Sequence, residues 1–215
     1  MRLSIILANL SGLVGTSLAA VVEARCPNTT VTPTPTPTGY MSCQTVYPNS
    51  IRQIYSYYPN MTSDARDYNM LVRSPDFEIA TEFQFLNIPK AGYACQLELI
   101  VPDTRFLVAQ GNSRIINVYQ VKAAPSSVPS WQTYAGNKSG PGIWGSIDAS
   151  DNNLQSVTER GGGKILINTA ACNETLTFQV GFAAPGSPET NYWGFPNIVP
   201  PANPAMGWRI VHSCT

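Results

Sequence analysis

Carboxylates are the side chains of this sequence with the clearest potential for catalysis. A glycoside hydrolase needs two of them across a cleft, one as acid and one as base or nucleophile. Glu78 and Glu82 share one face of a predicted strand, which we expect to be solvated. Six acidic residues are candidates: Glu78, Glu82, Glu98, Asp103, Asp148 and Asp151. Their spacing marks no acid pair, so the sequence assigns no catalytic residue.

Histidine and metal chemistry have little support. The one histidine, His212, would have to serve any Ser-His-Asp triad, and no G-x-S-x-G motif accompanies it. His and Cys lack both the number and the spacing of zinc ligands. One stretch has the spacing of an EF-hand loop without its glycine, at Asp148, Ser150, Asn152 and Glu159. We predict no metal and no cofactor.

The segment Asn191-Tyr-Trp-Gly-Phe-Pro-Asn197 is the most distinctive candidate for binding. Tyr192, Trp193 and Phe195 lie among Pro and Gly, a composition typical of a loop. Exposed aromatic rings stack on sugar rings, so these three residues are the predicted ligand-binding residues. The alternative is that Trp193 closes one end of a hydrophobic core.

The cysteines and sequons are typical of a secreted glycoprotein. Five cysteines in an oxidising compartment would form two disulfides and leave one residue over. The alternation of inward and outward side chains in the predicted strands, given below, favours a buried Cys95–Cys172 bond. A bond between Cys43 and Cys214 would join the two ends of the domain. A bond from Cys26 to Cys43 is the rival arrangement. Four N-glycosylation sequons begin at Asn28, Asn60, Asn137 and Asn173.

The N-terminal 39 residues predict export. Residues 1–20 have the charged start, short apolar run and small residues of a signal peptide, and the apolar run is too short for a membrane anchor. Residues 21–39 contain the Val31–Thr38 Thr/Pro run, which predicts a stiff, disordered stalk. We expect a secreted protein, extracellular or in the cell wall, with no membrane insertion after cleavage.

Composition restricts the remaining partners. Thirteen basic and thirteen acidic residues give zero net charge, and charged residues make up only 12% of the chain. A nucleic-acid binder would need a basic surface, so we exclude that class. Removing the signal and stalk leaves enough residues for one domain.

Alternating polar and apolar residues predict an all-β protein. The clearest strands are Phe77–Phe85, Cys95–Val101 and Leu176–Phe182. Continuing the inward–outward alternation of the last two strands predicts that Cys95, Cys172 and Glu174 face inward and that Asn173 faces outward. Weaker strands are predicted at Arg105–Ala109, Arg114–Val121, Gly142–Ile147, Lys164–Asn168 and Gly207–Ser213. We therefore predict an antiparallel β-sandwich of about eight strands over residues 75–215.

Two further segments have local signals of their own. The tyrosine-rich residues 40–74 pack on, or lead into, the domain, and Ile51, Ile54, Tyr55 and Tyr58 have helical spacing, which predicts a short helix. Arg160-Gly-Gly-Gly-Lys164 lacks the spacing of a phosphate-binding loop, so we predict a glycine-rich hairpin turn.

Several stretches resemble one fungal family. They are Phe83-Gln-Phe-Leu-Asn-Ile-Pro89, Tyr93-Ala-Cys-Gln-Leu-Glu-Leu-Ile-Val-Pro102, Trp144-Gly-Ser146, Ala171-Cys-Asn-Glu-Thr-Leu-Thr-Phe178, Gly207-Trp-Arg-Ile210 and Cys214. Together they resemble the ubiquitin 3 binding protein (But-type) C-terminal domain. The resemblance covers roughly residues 75–215 and implies a secreted fungal β-domain. The family's name implies a ubiquitin-pathway binding protein.

These observations lead to three functional hypotheses. The first is a non-catalytic secreted or cell-wall β-sandwich glycoprotein that binds wall polysaccharide or an extracellular protein. The second is a secreted carbohydrate-active enzyme with an unrecognised carboxylate pair. The third, from the family resemblance alone, is a ubiquitin-pathway partner.

Overall fold

The computed structural model describes residues 42–64, 67–125, 127–139, 142–161, 163–183 and 188–214, which belong to one compact unit, Gly39–Thr215. The predicted signal peptide and stalk, with Cys26 and Asn28, lie outside these residues. The strands are β1 (Gln44–Val46), β2 (Ser50–Tyr55), β3 (Tyr68–Arg73), β4 (Glu78–Leu86), β5 (Cys95–Ile100), β6 (Val108–Gln110), β7 (Ile115–Val121), β8 (Gly145–Asp148), β9 (Lys164–Ala170), β10 (Thr175–Phe182), β11 (Asn191–Pro196) and β12 (Gly207–His212). The helices are α1 (Trp131–Ser139) and α2 (Asp151–Gly161).

The strands form two antiparallel sheets. The smaller sheet has the order β1-β12-β5-β9, and the larger has the order β6-β11-β3-β4-β10-β7-β8, with β2 also paired to β4. Side chains from both sheets meet in one core, where the rings of Phe83 on β4 and Trp208 on β12 stack with centroids 4.5 Å apart. The predicted antiparallel β-sandwich is confirmed. Seven of the predicted strands correspond to observed strands, the predicted strand Arg105–Ala109 overlaps β6 only at Val108 and Ala109 because residues 104–106 form a turn, and β1, β2, β3 and β11 are additional.

Two disulfides link these elements. Cys95 at the start of β5 is bonded to Cys172, which follows β9. Cys43, just before β1, is bonded to Cys214, just after β12. Both predicted pairings are confirmed, and such bonds are typical of proteins from oxidising compartments.

The predicted helix over residues 51–58 is wrong, because these residues form strand β2 and the turn after it. Ile51 packs in the core between the sheets, whereas Ile54 packs on the opposite face of the larger sheet. A helix would have placed both on one face. Six ladder pairs between β2 and β4 override the helical spacing.

The sequence pattern predicted neither α1 nor α2. Helix α1 begins at a reciprocal cap, in which the Ser130 amide donates to Thr133 Oγ1 at 3.1 Å and the Thr133 amide donates to Ser130 Oγ at 3.3 Å. The predicted glycine hairpin is wrong because Gly161 ends α2, and Gly163 turns the chain into β9 with φ = 73°.

Helix α1 gives the larger sheet a second buried face. Tyr134 from α1 packs with Ile54, Ala80 and Tyr119 on the side away from the sandwich core. Strand β4 is therefore buried on both faces over most of its length. This covering places the polar residues of β4 beneath α1 instead of in water.

Candidate functional site

The predicted aromatic loop is strand β11, and the expectation that its rings are exposed is wrong. Trp193 is 1% exposed, and its ring meets the buried Phe195 ring edge-on at 4.7 Å. Tyr192 is half-buried, with its hydroxyl 3.2 Å from that of Tyr68. Because β11 pairs with β3 and β6, the segment is held in a ladder and Trp193 packs in the core. Neither Trp193 nor Phe195 offers a ring face to a ligand.

A different aromatic group is exposed, and we call it the tyrosine platform: Tyr55, Tyr57, Tyr58 and Phe77. Tyr57 is 64% exposed and Tyr58 is 60% exposed. The Tyr57 and Phe77 rings are 6.0 Å apart between centroids, tilted by 38°, and border a shallow cavity of about 250 Å³. The platform therefore presents rings to solvent where the predicted loop does not.

Hydrogen bonds hold the turn that carries the platform. The Ser56 amide donates to the Glu78 carbonyl at 3.0 Å, and the Glu78 amide donates to Ser56 Oγ at 2.8 Å. The Pro59 carbonyl accepts from the Trp131 amide at the start of α1, at 3.0 Å. The backbone of the turn is thus fixed to both β4 and α1, which limits the positions that the rings can take before any ligand arrives.

Beneath α1, Glu78 forms a tightly satisfied cluster. Tyr134 Oη donates to Glu78 Oε1 at 3.0 Å, and Lys138 Nζ donates to both carboxylate oxygens at 2.9 Å. Arg73 lies 4.0 Å away. Burial and the neighbouring Glu78 raise the pKa of Tyr134 well above its ordinary value. Gly181 on β10 is required here, because a Cβ at that position would collide with the Tyr134 hydroxyl.

Further along β4, Glu82 ends a chain of hydrogen bonds. Asn137 on α1 donates through Nδ2 to Gln179 Oε1 at 2.8 Å, and Gln179 Nε2 donates to Glu82 Oε2 at 2.7 Å. Glu82 is only 6% exposed. Burial raises the pKa of its carboxyl to about 7, and the Gln179 hydrogen bond and the charge of Arg52 only partly oppose that rise.

The predicted solvated face of Glu78 and Glu82 is therefore wrong, because α1 covers it. The other acidic residues offer no better pair. Glu98 is bound to Arg209, with 2.7 Å between Oε2 and Nη2, and the guanidinium of Arg105 lowers the pKa of Asp103 to about 2. The prediction that Glu174 faces inward is also wrong, since it is exposed.

The histidine and the EF-hand-like spacing do not form a site. His212 is buried, and its Nδ1 lies 3.0 Å from Ser213 Oγ, a purely local contact. Asp148 ends β8, where its Oδ1 accepts from the Ser150 amide at 3.0 Å, and α2 begins directly afterwards. The described part of the chain contains no group of three or more His, Cys, Asp or Glu residues that could hold a metal ion.

The sequons within the described residues differ in accessibility. Asn60 lies exposed in the platform turn, and Asn173 is exposed after β9, on the predicted outward side. Asn137 is half-buried, and its Nδ2 is the donor to Gln179. Space for a glycan is therefore present at Asn60 and Asn173 and restricted at Asn137.

Sequence reasoning missed the platform and Glu82 for different reasons. Tyr57-Tyr58-Pro59 contains a turn signal that points to the platform, but the helical spacing outweighed it in the prediction. For Glu82 the alternation of β4 indicated a solvated side chain, and no local sequence signal predicts α1.

Among the helices that the structure describes, none is long and apolar enough to cross a bilayer. No protein-family model matches the chain, and no curated protein is significantly similar to it, so the resemblance to the But-type family stays a prediction.

Proposed function

We propose that this chain is a secreted, non-catalytic β-sandwich glycoprotein that binds a neutral cell-wall polysaccharide through the tyrosine platform. One observation carries the proposal: adjacent Tyr57 and Tyr58 are each at least 60% exposed beside Phe77, on a turn fixed by hydrogen bonds. Aromatic rings combine a large apolar face with a polar tip, which suits a sugar ring that has CH groups on its faces and hydroxyls at its edge.

Charge favours a neutral polymer. The chain has zero net charge, and Glu78, the one acidic residue among the described residues that line the platform cavity, is already paired with Lys138. Among the described residues that line the platform cavity, an anionic or cationic polymer would find no unpaired opposite charge. An extracellular protein that docks on the same rings is the competing partner, and the assay below separates the two.

The hydrolase hypothesis loses its best carboxylate pair. Glu78 and Glu82 are four residues apart on one strand, or about 13 Å along it. The two carboxyl groups of glycosidases lie about 5 to 9.5 Å apart. Glu78 is also occupied by Tyr134 and Lys138. We expect no release of soluble sugar from any bound polymer.

The test is sedimentation of the secreted protein with insoluble chitin, β-glucan and fungal or plant cell wall. We expect the wild type to bind at least one of them and the double variant Tyr57→Ala/Tyr58→Ala to bind at least tenfold more weakly, since each stacked ring contributes about 1 kcal/mol. Phe106→Ala, which removes an exposed ring after β5, is the matched control and should bind like the wild type.

Asn60 lies two residues from Tyr58, so a glycan there could obstruct the platform, and Asn60→Gln is included. Equal binding by the wild type and the double variant would refute the assignment to the platform. If the protein binds no polymer but captures an extracellular protein, and the double variant does not, the platform would be assigned to a protein partner instead. Sugar release would support the hydrolase.

A further inference from the structure

A second concave site lies at Glu82 of β4, further along the strand than Glu78. It is bounded by α1, the larger sheet and the connection from β7 to α1. Its volume is about 530 Å³, within the roughly 300 to 1,000 Å³ range of small-molecule sites. Glu82, Gln179 and Asn137 supply polar groups at its base, and Val128 and Ala123 supply apolar surface. We call it the Glu82 cleft.

The carboxyl group of Glu82 is only partly satisfied by the described residues around the cleft. Gln179 donates to Glu82 Oε2, but Oε1 meets no hydrogen-bond donor among the residues that the structure describes. Oε1 is not among the fully buried side-chain atoms that lack a hydrogen bond in the described part of the chain, so water or a ligand in the cleft can reach it. The free oxygen therefore indicates a place where an external donor would be stabilised.

The hydrogen-bond chain sets the direction of the neighbouring amides. Because Asn137 Nδ2 donates to Gln179 Oε1, the Gln179 amide group must point its nitrogen at Glu82. The raised pKa of Glu82, about 7, lets its carboxyl donate or accept near neutrality. The base of the cleft thus offers donors and acceptors side by side in a fixed arrangement.

The charges around the cleft disfavour ionic ligands. Arg52, on the strand paired with β4, faces Glu82 in the ladder, and Lys122 borders the cleft. A cationic ligand would be repelled by these two residues, and an anionic ligand by the ionised form of Glu82. Hydroxyl groups both donate and accept without charge. The chemistry of the cleft is therefore best matched by a neutral ligand with several hydroxyls.

We propose that the Glu82 cleft binds a neutral polyhydroxylated small ligand, such as a single sugar residue, through Glu82, Gln179 and Asn137. Binding at this site is separate from the polymer binding proposed for the tyrosine platform, because the two sites share no lining residue. Either proposal can fail while the other stands.

The probes are free glucose, mannose and N-acetylglucosamine, tested with the full secreted protein by saturation-transfer NMR and titration. We expect millimolar or tighter binding of at least one sugar, and at least tenfold weaker binding by Glu82→Ala. Val128→Trp places a large ring at the exposed rim of the cleft without changing its polar base, so it should also weaken binding at least tenfold. Ile143→Trp, at an exposed position outside the cleft, is its matched control.

The tyrosine-platform double variant Tyr57→Ala/Tyr58→Ala should bind the same sugar as tightly as the wild type does. That result would support the cleft even if the protein sediments with no polymer. No saturation transfer to any of the three sugars would overturn the proposal. Wild-type affinity in Val128→Trp would overturn it as well, and this variant keeps the test valid if Glu82→Ala fails to fold.

Discussion

Removing the ionisable carboxyl of Glu82 should change how the stability of this protein depends on pH. Glu82→Gln keeps the size of the side chain and its ability to accept from Gln179, but it cannot ionise. In the folded protein, burial raises the pKa of Glu82 from 4.5 to about 7. The folded state therefore binds this proton more tightly than the unfolded state does, and folding is favoured while the group is protonated.

The direction and size of the effect follow from that difference. Below about pH 4.5 the carboxyl is protonated in both states, and its full contribution to stability is present. As the pH rises through about 7, the folded protein must hold a buried carboxylate, and the contribution is lost. At about 1.4 kcal/mol per pH unit, the wild-type free energy of unfolding should fall by about 3 kcal/mol relative to that of Glu82→Gln.

The assay is urea unfolding of both proteins, with disulfides intact, at several values between about pH 4 and pH 8. The difference between the two proteins isolates Glu82 because their other titrating groups are the same. Glu174→Gln is the control, since it removes an exposed carboxylate and should follow the wild-type curve. Parallel curves for wild type and Glu82→Gln would refute the reasoning that burial beneath α1 controls this carboxyl.

Two substitutions and one measurement on the unaltered protein test the surrounding structure. Gly181→Ala should destabilise the fold by about 2 kcal/mol in urea unfolding, because its Cβ would displace the Tyr134 hydroxyl; an unchanged midpoint would argue against the packing of α1 on β10. Replacing Cys95 and Cys172 together by alanine should cost about 4 kcal/mol, since the bond closes a loop with a sequence separation of 77; a loss below 1 kcal/mol would contradict this. Glycopeptide mass spectrometry of the secreted protein should find Asn137 unmodified, and a glycan there would mean that its amide is free of Gln179.

Much of the smaller sheet and the sandwich core could be predicted from the sequence. Alternation in β5 placed Cys95, Leu97 and Leu99 on the buried face, and the structure confirms it. Extending the parity of β10 back to Cys172 identified its disulfide partner. These predictions succeed because side chains alternate between the two faces of a strand. In a strand with one buried face, the apolar residues at every second position therefore show which face is buried.

The larger sheet limits this kind of reasoning. Strand β10 is buried at seven consecutive positions, and β2 places Ile51 and Ile54 in different cores. Strand β11 has the composition of a loop but is held between two ladders. Where both faces of a strand are covered, polar and apolar residues no longer alternate along it. Whether such a segment forms a strand then depends on pairing with strands that are distant in the sequence.

The sequence by itself predicted the antiparallel β class, the Cys95–Cys172 bond and export, since each depends on local alternation or composition, whereas the structure decided for Cys43–Cys214 over the rival Cys26–Cys43 bond. The tertiary structure alone decided that Trp193 is buried, that Tyr57 and Tyr58 are exposed, and that Glu82 lies beneath α1 with its pKa near neutrality. The physical reason is that exposure and pKa depend on what covers a side chain. For Glu82 that covering includes a helix about 50 residues away in the sequence, and no pattern within β4 encodes it.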